Sequence, residues 1–495
     1  MDRAEYGKAF LQVKRDFEEA VAQWGLPFEA KESFSRRDRA AFVEACNAAA
    51  CNGCTGQAAH ASAPSCSAAP ASHGAPAVSA QPGTPAVLAE NAGGSIRTGW
   101  ISPACVACRT GERTETFFVS LACTRGCYFC FNPNQEGYEH FLTHKRDIAS
   151  ELRQAAAAGR RLDALAVTGG EPCLHKPEVL AFLDAAAELY PRAHTRLYTS
   201  GDLLDDDFLG RLAAAGLREV RFSVKPDEPR EAYRRLLGRI SAAVAALPDV
   251  MVEMPVIPGT RGWMEGLLLD LDALGVRGVN LLEFCFPLHN AAEFARRGFR
   301  LRREPYRDLY NWWYGGGLPV AGSEAEALGL VRFAAERGLR TSVHYCSLDN
   351  KVTGQAYQQN KPFLSKRPES AALRGRYPHL AFDPEDSLLK CAKVFGADAA
   401  PAAEYLRGLG ASVTLDPQIP FTAFEPRWLG PLLERFPGME AGLCSFILEE
   451  RDSDPAGSGG AAAGQGTGAT AGQGAGAARA FAERFYAREL GMVEL

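Results

Sequence analysis

The chain has 495 residues, of which 46% are hydrophobic and 23% are charged, as is typical of a globular protein with a sizeable core. Its formal net charge of -5 gives no electrostatic footprint for a nucleic-acid backbone, so we do not expect a nucleic-acid partner. No run approaches the roughly 20 apolar residues that span a bilayer, and the amino terminus, M-D-R-A-E-Y-G-K-A-F, lacks the apolar centre of a signal peptide. We therefore expect a cytoplasmic protein without a membrane partner, whose 14 cysteines bind metal or take part in catalysis instead of forming disulfides.

Composition separates an ordered centre from loosely tied ends. Residues 55–98 are rich in Ala, Pro, Ser and Gly, and residues 454–478 are nearly all Gly, Ala, Gln, Ser and Thr. Neither stretch can bury enough apolar surface to offset its ordering entropy, so both are predicted to be disordered linkers. A final helix is predicted from the spacing of Phe481, Phe485 and Leu490. The predicted units are a helical, cysteine-containing segment (residues 1–54), a linker (55–98) and a barrel (99–350). An α/β extension (351–453), a second linker (454–478) and a helix (479–495) follow.

Residues 114–284 alternate regularly between β-branched or aromatic runs and helical runs. The clearest helix begins at Lys176-Pro177-Glu178 and stops before Pro191. Six strands in such an alternation imply a parallel sheet, because each crossover returns the chain to the same end. An open or partly closed α/β barrel is the expected fold, with a seventh unit at residues 323–345. The six predicted strands are residues 116–121, 164–168, 195–199, 219–224, 251–257 and 279–284.

Three cysteines, Cys123, Cys127 and Cys130, follow the first predicted strand in the run C-T-R-G-C-Y-F-C. Three thiolates in one short loop can converge on an iron-sulfur cubane and leave one iron without a protein ligand. Nucleophilic catalysis needs one thiol beside a base, and a structural zinc site needs four ligands, so neither explains a three-thiol loop alone. The loop predicts a cluster with one iron open to a small molecule.

A second motif, T-G-G-E-P at residues 168–172, ends the second predicted strand. In a parallel sheet, ligands bind at the carboxyl ends of the strands, where both motifs lie. Paired glycines allow a backbone to approach a ligand closely, and the carboxylate that follows can receive an ammonium group. The same letters alone would also fit an ordinary strand-to-helix turn. One strand after a three-cysteine loop, they favour a ligand site.

Over about residues 114–284 the chain resembles the radical S-adenosylmethionine (SAM) superfamily. The resemblance rests on C-x3-C-x2-C, with Phe129 before the last cysteine, and on Gly169-Gly170-Glu171-Pro172. It implies a partial (β/α)6-type radical SAM barrel, here with a cysteine-containing N-terminal segment and a small C-terminal α/β extension. It also implies that one electron from a reduced 4Fe-4S cluster cleaves SAM to a 5'-deoxyadenosyl radical, which abstracts hydrogen from the substrate. A low-potential electron donor of the flavodoxin or ferredoxin type is then required.

The family's site residues can be carried over to matching positions. Cys123, Cys127 and Cys130 would hold the cluster, whose remaining iron takes the amino and carboxylate groups of SAM. Residues of the glycine motif would line the methionine amine, and further positions, matched by strand order only, would contact ribose, carboxylate or adenine. The implied SAM-binding residues are Gly169, Gly170, Glu171, Ser200, Ser223, Lys225 and Ile257.

A narrower resemblance uses motifs outside the cluster loop. Cys105-x2-Cys108, L-Y-T-S-G, E-V-R-F-S-V, E-M-P-V-I-P-G and H-Y-C-S-L-D-N-K-V-T-G-Q are similar to a group of radical SAM proteins described as related to pyruvate formate-lyase-activating enzyme. This similarity implies kinship and leaves the substrate, a small molecule or a protein, undetermined. Activation of a glycyl-radical enzyme is one reaction in that class.

The other cysteines allow a second metal site. Cys51-x2-Cys54 and Cys105-x2-Cys108 have the paired spacing of zinc ribbons or iron-sulfur ligands. Cys346 ends the seventh predicted strand, where it is either a further ligand or a small buried hydrophobic residue. A packing role is favoured for Cys173, Cys285, Cys391 and Cys444.

The sequence does not decide the roles of two further side chains, and it allows a second class of function. Glu283 and His289 either touch substrate or adenine, or have a structural role. The alternative to an enzyme is a zinc- or cluster-stabilised interaction protein without catalysis, but that alternative leaves T-G-G-E-P unexplained.

Overall fold

The computed structural model describes residues 3–29, 36–53, 86–302, 317–416, 420–451 and 475–494. Most of the first predicted linker and nearly all of the second lie outside these residues. The described residues up to 346 contain helices and the strands of a large sheet. In chain order these elements are α1 (Arg3–Ala22), α2 (Arg36–Gly53), β1 (Val87–Glu90), β2 (Ser95–Thr98), α3 (Pro103–Cys108), β3 (Thr114–Phe118), α4 (Tyr138–Phe141), α5 (Ile148–Ala157), β4 (Ala164–Thr168), α6 (Lys176–Leu189), β5 (His194–Thr199), α7 (Asp206–Ala214), β6 (Glu219–Phe222), α8 (Arg230–Ala246), β7 (Asp249–Val256), α9 (Arg261–Leu274), β8 (Gly278–Glu283), β9 (Cys285–Phe286), α10 (Ala291–Arg296), β10 (Leu318–Pro319), α11 (Ser323–Arg337) and β11 (Ser342–Cys346).

The large sheet has nine strands in the order β1-β2-β11-β8-β7-β6-β5-β4-β3. The pairs from β3 through β8, and β8 with β11, are all parallel, which confirms the predicted barrel-type α/β fold and its seventh unit. Helices cover one face, where Val220 and Phe222 of β6 belong to the main core. Side chains alternate along a strand, so Arg221 points to the opposite, inner face.

The prediction of a disordered linker is wrong for its last part, residues 87–98. Residues 87–98 form a hairpin in which Val87 is paired with Thr98, and β2 continues the sheet by pairing antiparallel with β11. Ile96 is fully buried in the main core. The composition of residues 55–98 as a whole does not reveal these two short strands, which gain stability only by joining the sheet edge.

The C-terminal extension is an α/β unit around an antiparallel sheet of six strands. It runs on to residue 494, beyond the predicted boundary at residue 453, because the strand Phe485–Glu494 belongs to its sheet. Its elements are α12 (Leu348–Leu364), α13 (Pro368–Arg376), β12 (Ala381–Asp383), β13 (Leu388–Phe395), α14 (Ala399–Gly408), β14 (Val413–Asp416), β15 (Phe421–Phe424), α15 (Leu429–Arg435), β16 (Ala441–Glu450), α16 (Ala475–Glu483) and β17 (Phe485–Glu494).

The predicted helix over residues 479–495 is therefore only partly correct. The helix α16 ends at Glu483, and the following residues pair antiparallel with β16, Phe485 lying opposite Glu450. Phe481 and Phe485 lie four residues apart, which fits a helix face equally well. The sequence does not reveal that the edge strand β16 is available. By pairing with it, the backbone of residues 485–494 makes sheet hydrogen bonds in place of helical ones.

A buried ion-pair network joins the N-terminal segment to the barrel. Glu324 on α11 lies between two guanidinium groups, with Arg39 Nη2 at 2.6 Å and Arg302 Nη1 at 2.8 Å. Arg302 also pairs with Glu283 at the end of β8, at 3.3 Å, and Glu283 accepts a hydrogen bond from the Leu348 backbone N–H at 2.8 Å. Glu283 thus has the structural role that the sequence left open. Among the helices described, none is both long and apolar enough to cross a membrane.

Candidate functional site

The three-cysteine loop begins five residues after β3, at the carboxyl ends of the parallel strands. Cys123 is exposed, whereas Cys127 and Cys130 are half-buried. The Cys130 N–H donates to the Cys127 carbonyl at 3.1 Å, and the Arg125 N–H donates to Cys123 Sγ at 3.4 Å. Burial raises the pKa of the Cys123 and Cys130 thiols. A metal ion bound here would displace those protons, since the thiolate is the metal ligand.

Arg125, inside the loop, fastens it to the two neighbouring strand ends. Its guanidinium donates to both carboxylate oxygens of Asp202, at 2.5 and 2.6 Å, and pairs with Glu228. Asp202 follows β5 and Glu228 follows β6. Burial opposes ionisation of Asp202, but the hydrogen bonds from Arg125 hold the pKa of Asp202 below its usual range.

The opposite side of the loop is held by the segment that follows β9. The His289 ring donates to the Cys130 carbonyl at 2.5 Å, and the Asn290 amide donates to the Tyr128 carbonyl at 3.0 Å. His289, for which the sequence allowed two roles, thus contacts the cysteine loop. Tyr128 and Phe129 pack edge-on against each other, with ring centroids 5.0 Å apart, and both contact Phe284.

The glycine motif lies directly against the chain that enters the cysteine loop. The Gly170 N–H donates to the Ser120 carbonyl at 3.1 Å, and the Glu171 N–H donates to the Ala122 carbonyl at 2.8 Å. A Cβ atom on Gly170 would lie 1.8 Å from the Ala122 oxygen, so no other residue type fits. Gly169 has a φ of 107°, which also favours glycine.

The Glu171 side chain points towards the end of β5. Its carboxylate, only 2% exposed, accepts hydrogen bonds from the Cys173 N–H at 3.0 Å and from the Thr199 hydroxyl at 2.7 Å. The Ser200 N–H and hydroxyl both donate to its other oxygen at 2.7 Å. The carboxylate and Ser200 therefore bind each other, and the backbone is the part of the glycine motif that lies against the cysteine loop.

The remaining predicted SAM-binding positions lie at different depths. Lys225 is close enough to act electrostatically on Cys123 and Cys130. The Ser223 N–H donates to the Thr199 carbonyl at 3.0 Å. Ile257 is 7% exposed and packs in the apolar cluster that contains Phe284.

Cysteines outside the loop divide into packed and clustered residues. Cys173, Cys391 and Cys444 are buried and Cys285 is partly buried, which agrees with a packing role. Cys105 and Cys108 lie on α3, and Cys346 is the last residue of β11. Cys51 lies in the last turns of α2 with a side chain outside the description, and Cys54 lies outside the described residues.

Sequence reasoning missed Arg125, Asp202 and Asn132 as residues that shape the site. The Asn132 amide donates to the Gly169 carbonyl at 2.7 Å and so ties the cysteine loop to the glycine motif. Arg125 could have drawn attention because it lies between two of the loop cysteines. Its partner Asp202 is 77 residues away, and nothing local indicates the pair.

Residues 118–259 match the family model described as the radical SAM superfamily. The chain carries a radical SAM domain. The matched residues begin at the last residue of β3 and end just after β7, so they include the cysteine loop and the glycine motif. The protein is accordingly an enzyme of SAM-dependent radical chemistry, and the family implies SAM and a 4Fe-4S cluster as its cofactors.

One relative is a protein of Methanocaldococcus jannaschii whose name gives it, provisionally, as a glycyl-radical enzyme activating enzyme. It is 25% identical over 312 residues, which make up 59% of this chain and 76% of the relative.

Three solved structures are similar at lower identity, and each alignment covers under two thirds of the other protein. Streptococcus suis SuiB bound to S-adenosylmethionine is 13% identical, with a TM-score of 0.35 and coverage of 48% of this chain and 50% of SuiB. The protein anSMEcpe with AdoMet and the Cp18Cys peptide is 15% identical, with a TM-score of 0.30 and coverage of 36% and 52%. BtrN with AdoMet and 2-DOIA is 19% identical, with a TM-score of 0.24 and coverage of 29% and 56%.

The contact between the radical SAM glycine motif and the cysteine loop predicts the effect of Gly170→Ala. The added methyl group would overlap the Ala122 backbone and displace the chain that leads to Cys123. We expect the rate of reductive SAM cleavage, measured as 5'-deoxyadenosine formed with dithionite, to fall by about 100-fold, the cost of roughly 1 Å of misplacement.

The matched control is Gly210→Ala on α7, where an added Cβ meets no atom within 4 Å. This variant should cleave SAM at the unaltered rate, and both variants should keep the far-UV circular dichroism of the parent chain. Equal rates for the two variants would contradict a constraint at Gly170.

Proposed function

We propose that Cys123, Cys127 and Cys130 hold the 4Fe-4S cluster of this radical SAM domain and that SAM binds its remaining iron. The observation that carries the proposal is the contact of this three-thiol loop with the Gly169-Gly170 turn, where a Cβ on Gly170 would lie 1.8 Å from the Ala122 oxygen. Three thiols suit a cluster with one open iron, so the residues present fit the group. A cluster held by these thiols would supply the electron for reductive cleavage of SAM to methionine and a 5'-deoxyadenosyl radical.

The surrounding residues position and shield the loop. Arg125, paired with Asp202 and Glu228, holds the loop against the ends of β5 and β6. The aromatic side chains of Tyr128 and Phe129 pack beneath it with Phe284, Phe294 and Phe299. Such apolar packing excludes water, which a reactive radical requires. We infer that the backbone of residues 169–171 and the Lys225 ammonium face the amino-acid part of SAM.

For the substrate, we propose the α-carbon of a glycine in a partner protein. The name of the Methanocaldococcus jannaschii relative supports this class. Further support comes from two exposed apolar side chains on the loops at the site, Phe131 at 58% and Leu288 at 48% exposure. A protein partner that covered these two side chains would remove their apolar surface from water. The reaction moves one hydrogen atom from glycine to the 5'-deoxyadenosyl radical and leaves a glycyl radical, and a low-potential flavodoxin or ferredoxin supplies the electron.

A small-molecule substrate remains the second candidate within the same enzyme class. The radical SAM match accounts for T-G-G-E-P, so the non-catalytic zinc protein that the sequence also allowed is no longer needed to explain the cysteines of the loop.

Replacing Cys127 with Ala tests the cluster assignment. The chain is reconstituted anaerobically with iron and sulfide, reduced with dithionite and mixed with SAM. We expect Cys127→Ala to form no 5'-deoxyadenosine, because two thiolates cannot hold an open cubane. The control Cys391→Ala removes a thiol that is fully buried in the C-terminal sheet and should keep the parent rate. Undiminished cleavage by Cys127→Ala would remove the loop from the mechanism.

Transfer of deuterium tests the substrate class. The probe is a peptide whose central glycine carries two deuterons on its α-carbon, incubated with the reduced, reconstituted chain and SAM. We expect 5'-deoxyadenosine that contains deuterium, because the radical takes its hydrogen from that carbon. The same peptide with unlabelled glycine is the control. Abundant 5'-deoxyadenosine without deuterium would reject glycine and leave SAM cleavage intact.

A further inference from the structure

The inner face of the barrel carries polar side chains away from the cysteine loop. Arg221 of β6 is 3% exposed and pairs with Glu219 at 2.6 Å and with Glu253 of β7. The Asn280 amide of β8 donates to the same Glu253 carboxylate at 2.7 Å. The Nη2 of Arg221 also donates to Cys105 Sγ at 3.3 Å. The Cys105 thiol thus reaches the interior of the barrel.

The helix α3 brings that thiol inward because its first turn is anchored to β6. The Ser102 side chain caps the helix by accepting from the Ala104 N–H at 3.1 Å and donates to Glu219 at 2.5 Å. Ser102 and Ala104 are both fully buried. With this end of the helix fixed inside the protein, Cys105 lies beside Arg221, and Cys108 follows one turn later.

The third thiol comes from a distant part of the sequence. Cys346 ends β11, is buried, and accepts a hydrogen bond from the Asn350 amide at 3.2 Å. The helix α12 meets α3 closely, because a Cβ atom on Gly354 would lie 2.5 Å from the Cys108 carbonyl oxygen. Asn350, which contacts Cys346, and Gly354, which contacts the Cys108 backbone, lie one turn apart on α12. Two segments more than 200 residues apart in sequence therefore converge with three thiols.

We propose that Cys105, Cys108 and Cys346 bind a second iron-sulfur cluster, separate from the one at the loop of Cys123, Cys127 and Cys130. Hydrogen bonds to the sulfurs, such as those from Arg221 and Asn350, tune the potential of thiolate-bound clusters. Arg221 also places a cation beside the thiolates, which offsets the negative charge of a cluster in a buried position.

The number of thiols favours a cluster over a structural zinc ion. Structural zinc is held by four ligands, whereas Cys105, Cys108 and Cys346 supply three thiols, the same number as the loop of Cys123, Cys127 and Cys130.

Iron counting without the first cluster tests the proposal independently of SAM cleavage. The full chain with Cys123→Ala, Cys127→Ala and Cys130→Ala is reconstituted anaerobically with iron and sulfide. We expect it to retain two to four iron atoms and a similar amount of sulfide per chain, roughly one cluster, with an electron paramagnetic resonance signal after reduction. Adding Cys105→Ala and Cys346→Ala should remove this iron, whereas adding Cys391→Ala should not.

A second measurement covers the case in which the triple variant does not fold. In the otherwise unaltered chain, Cys346→Ala should lose only the second cluster, so its iron content should fall by roughly half. Asn350→Asp, which replaces a donor to the Cys346 sulfur by a negative charge, should keep the iron and lower the potential of one of two reduction steps. The proposal is overturned by zinc without sulfide at this site, by iron content that is unaffected in Cys346→Ala, or by iron that persists after all the cysteines of both triplets are replaced.

Discussion

The close approach of two backbones at Gly170 is the constraint on which the site depends. The turn after β4 donates two hydrogen bonds to residues 120 and 122, and it can do so only because Gly170 has no Cβ atom to meet the Ala122 oxygen. This contact fixes the position of the backbone immediately before Cys123. The other contacts of the cysteine loop then hold residues that follow this fixed point.

Three further loops hold the cysteine loop in place from different sides. Arg125 reaches the segments after β5 and β6 through its two carboxylate partners, and His289 binds the Cys130 carbonyl from the segment after β9. Glu171, after β4, accepts three hydrogen bonds from Thr199 and Ser200 at the end of β5. A catalytic group held by several rigid elements needs little rearrangement when its ligand binds, which favours the reaction. The same logic applies inside the barrel, where Arg221 and Asn350 orient two thiols from different segments.

Local patterns in the sequence are enough to predict the barrel and its cysteine loop. They are insufficient to predict contacts between residues that are far apart in the sequence. The alternation of strands and helices and the spacing of the three cysteines are short-range signals, and the structure contains both. The hairpin at residues 87–98 and the strand Phe485–Glu494 exist because a sheet edge accepts them, which no local pattern shows. The direction of the Glu171 carboxylate could not be foreseen either, because its donors Thr199 and Ser200 lie at the end of the next strand.

The central claim is that the cluster held by Cys123, Cys127 and Cys130 keeps one iron open for SAM. The most direct measurement is the electron paramagnetic resonance spectrum of the reduced chain carrying Cys105→Ala and Cys108→Ala, recorded with and without SAM. SAM bound at the open iron would change the electronic environment of the cluster, so the account predicts a clear shift of the signal on adding SAM. A reduced cluster whose spectrum is identical with and without saturating SAM would contradict it.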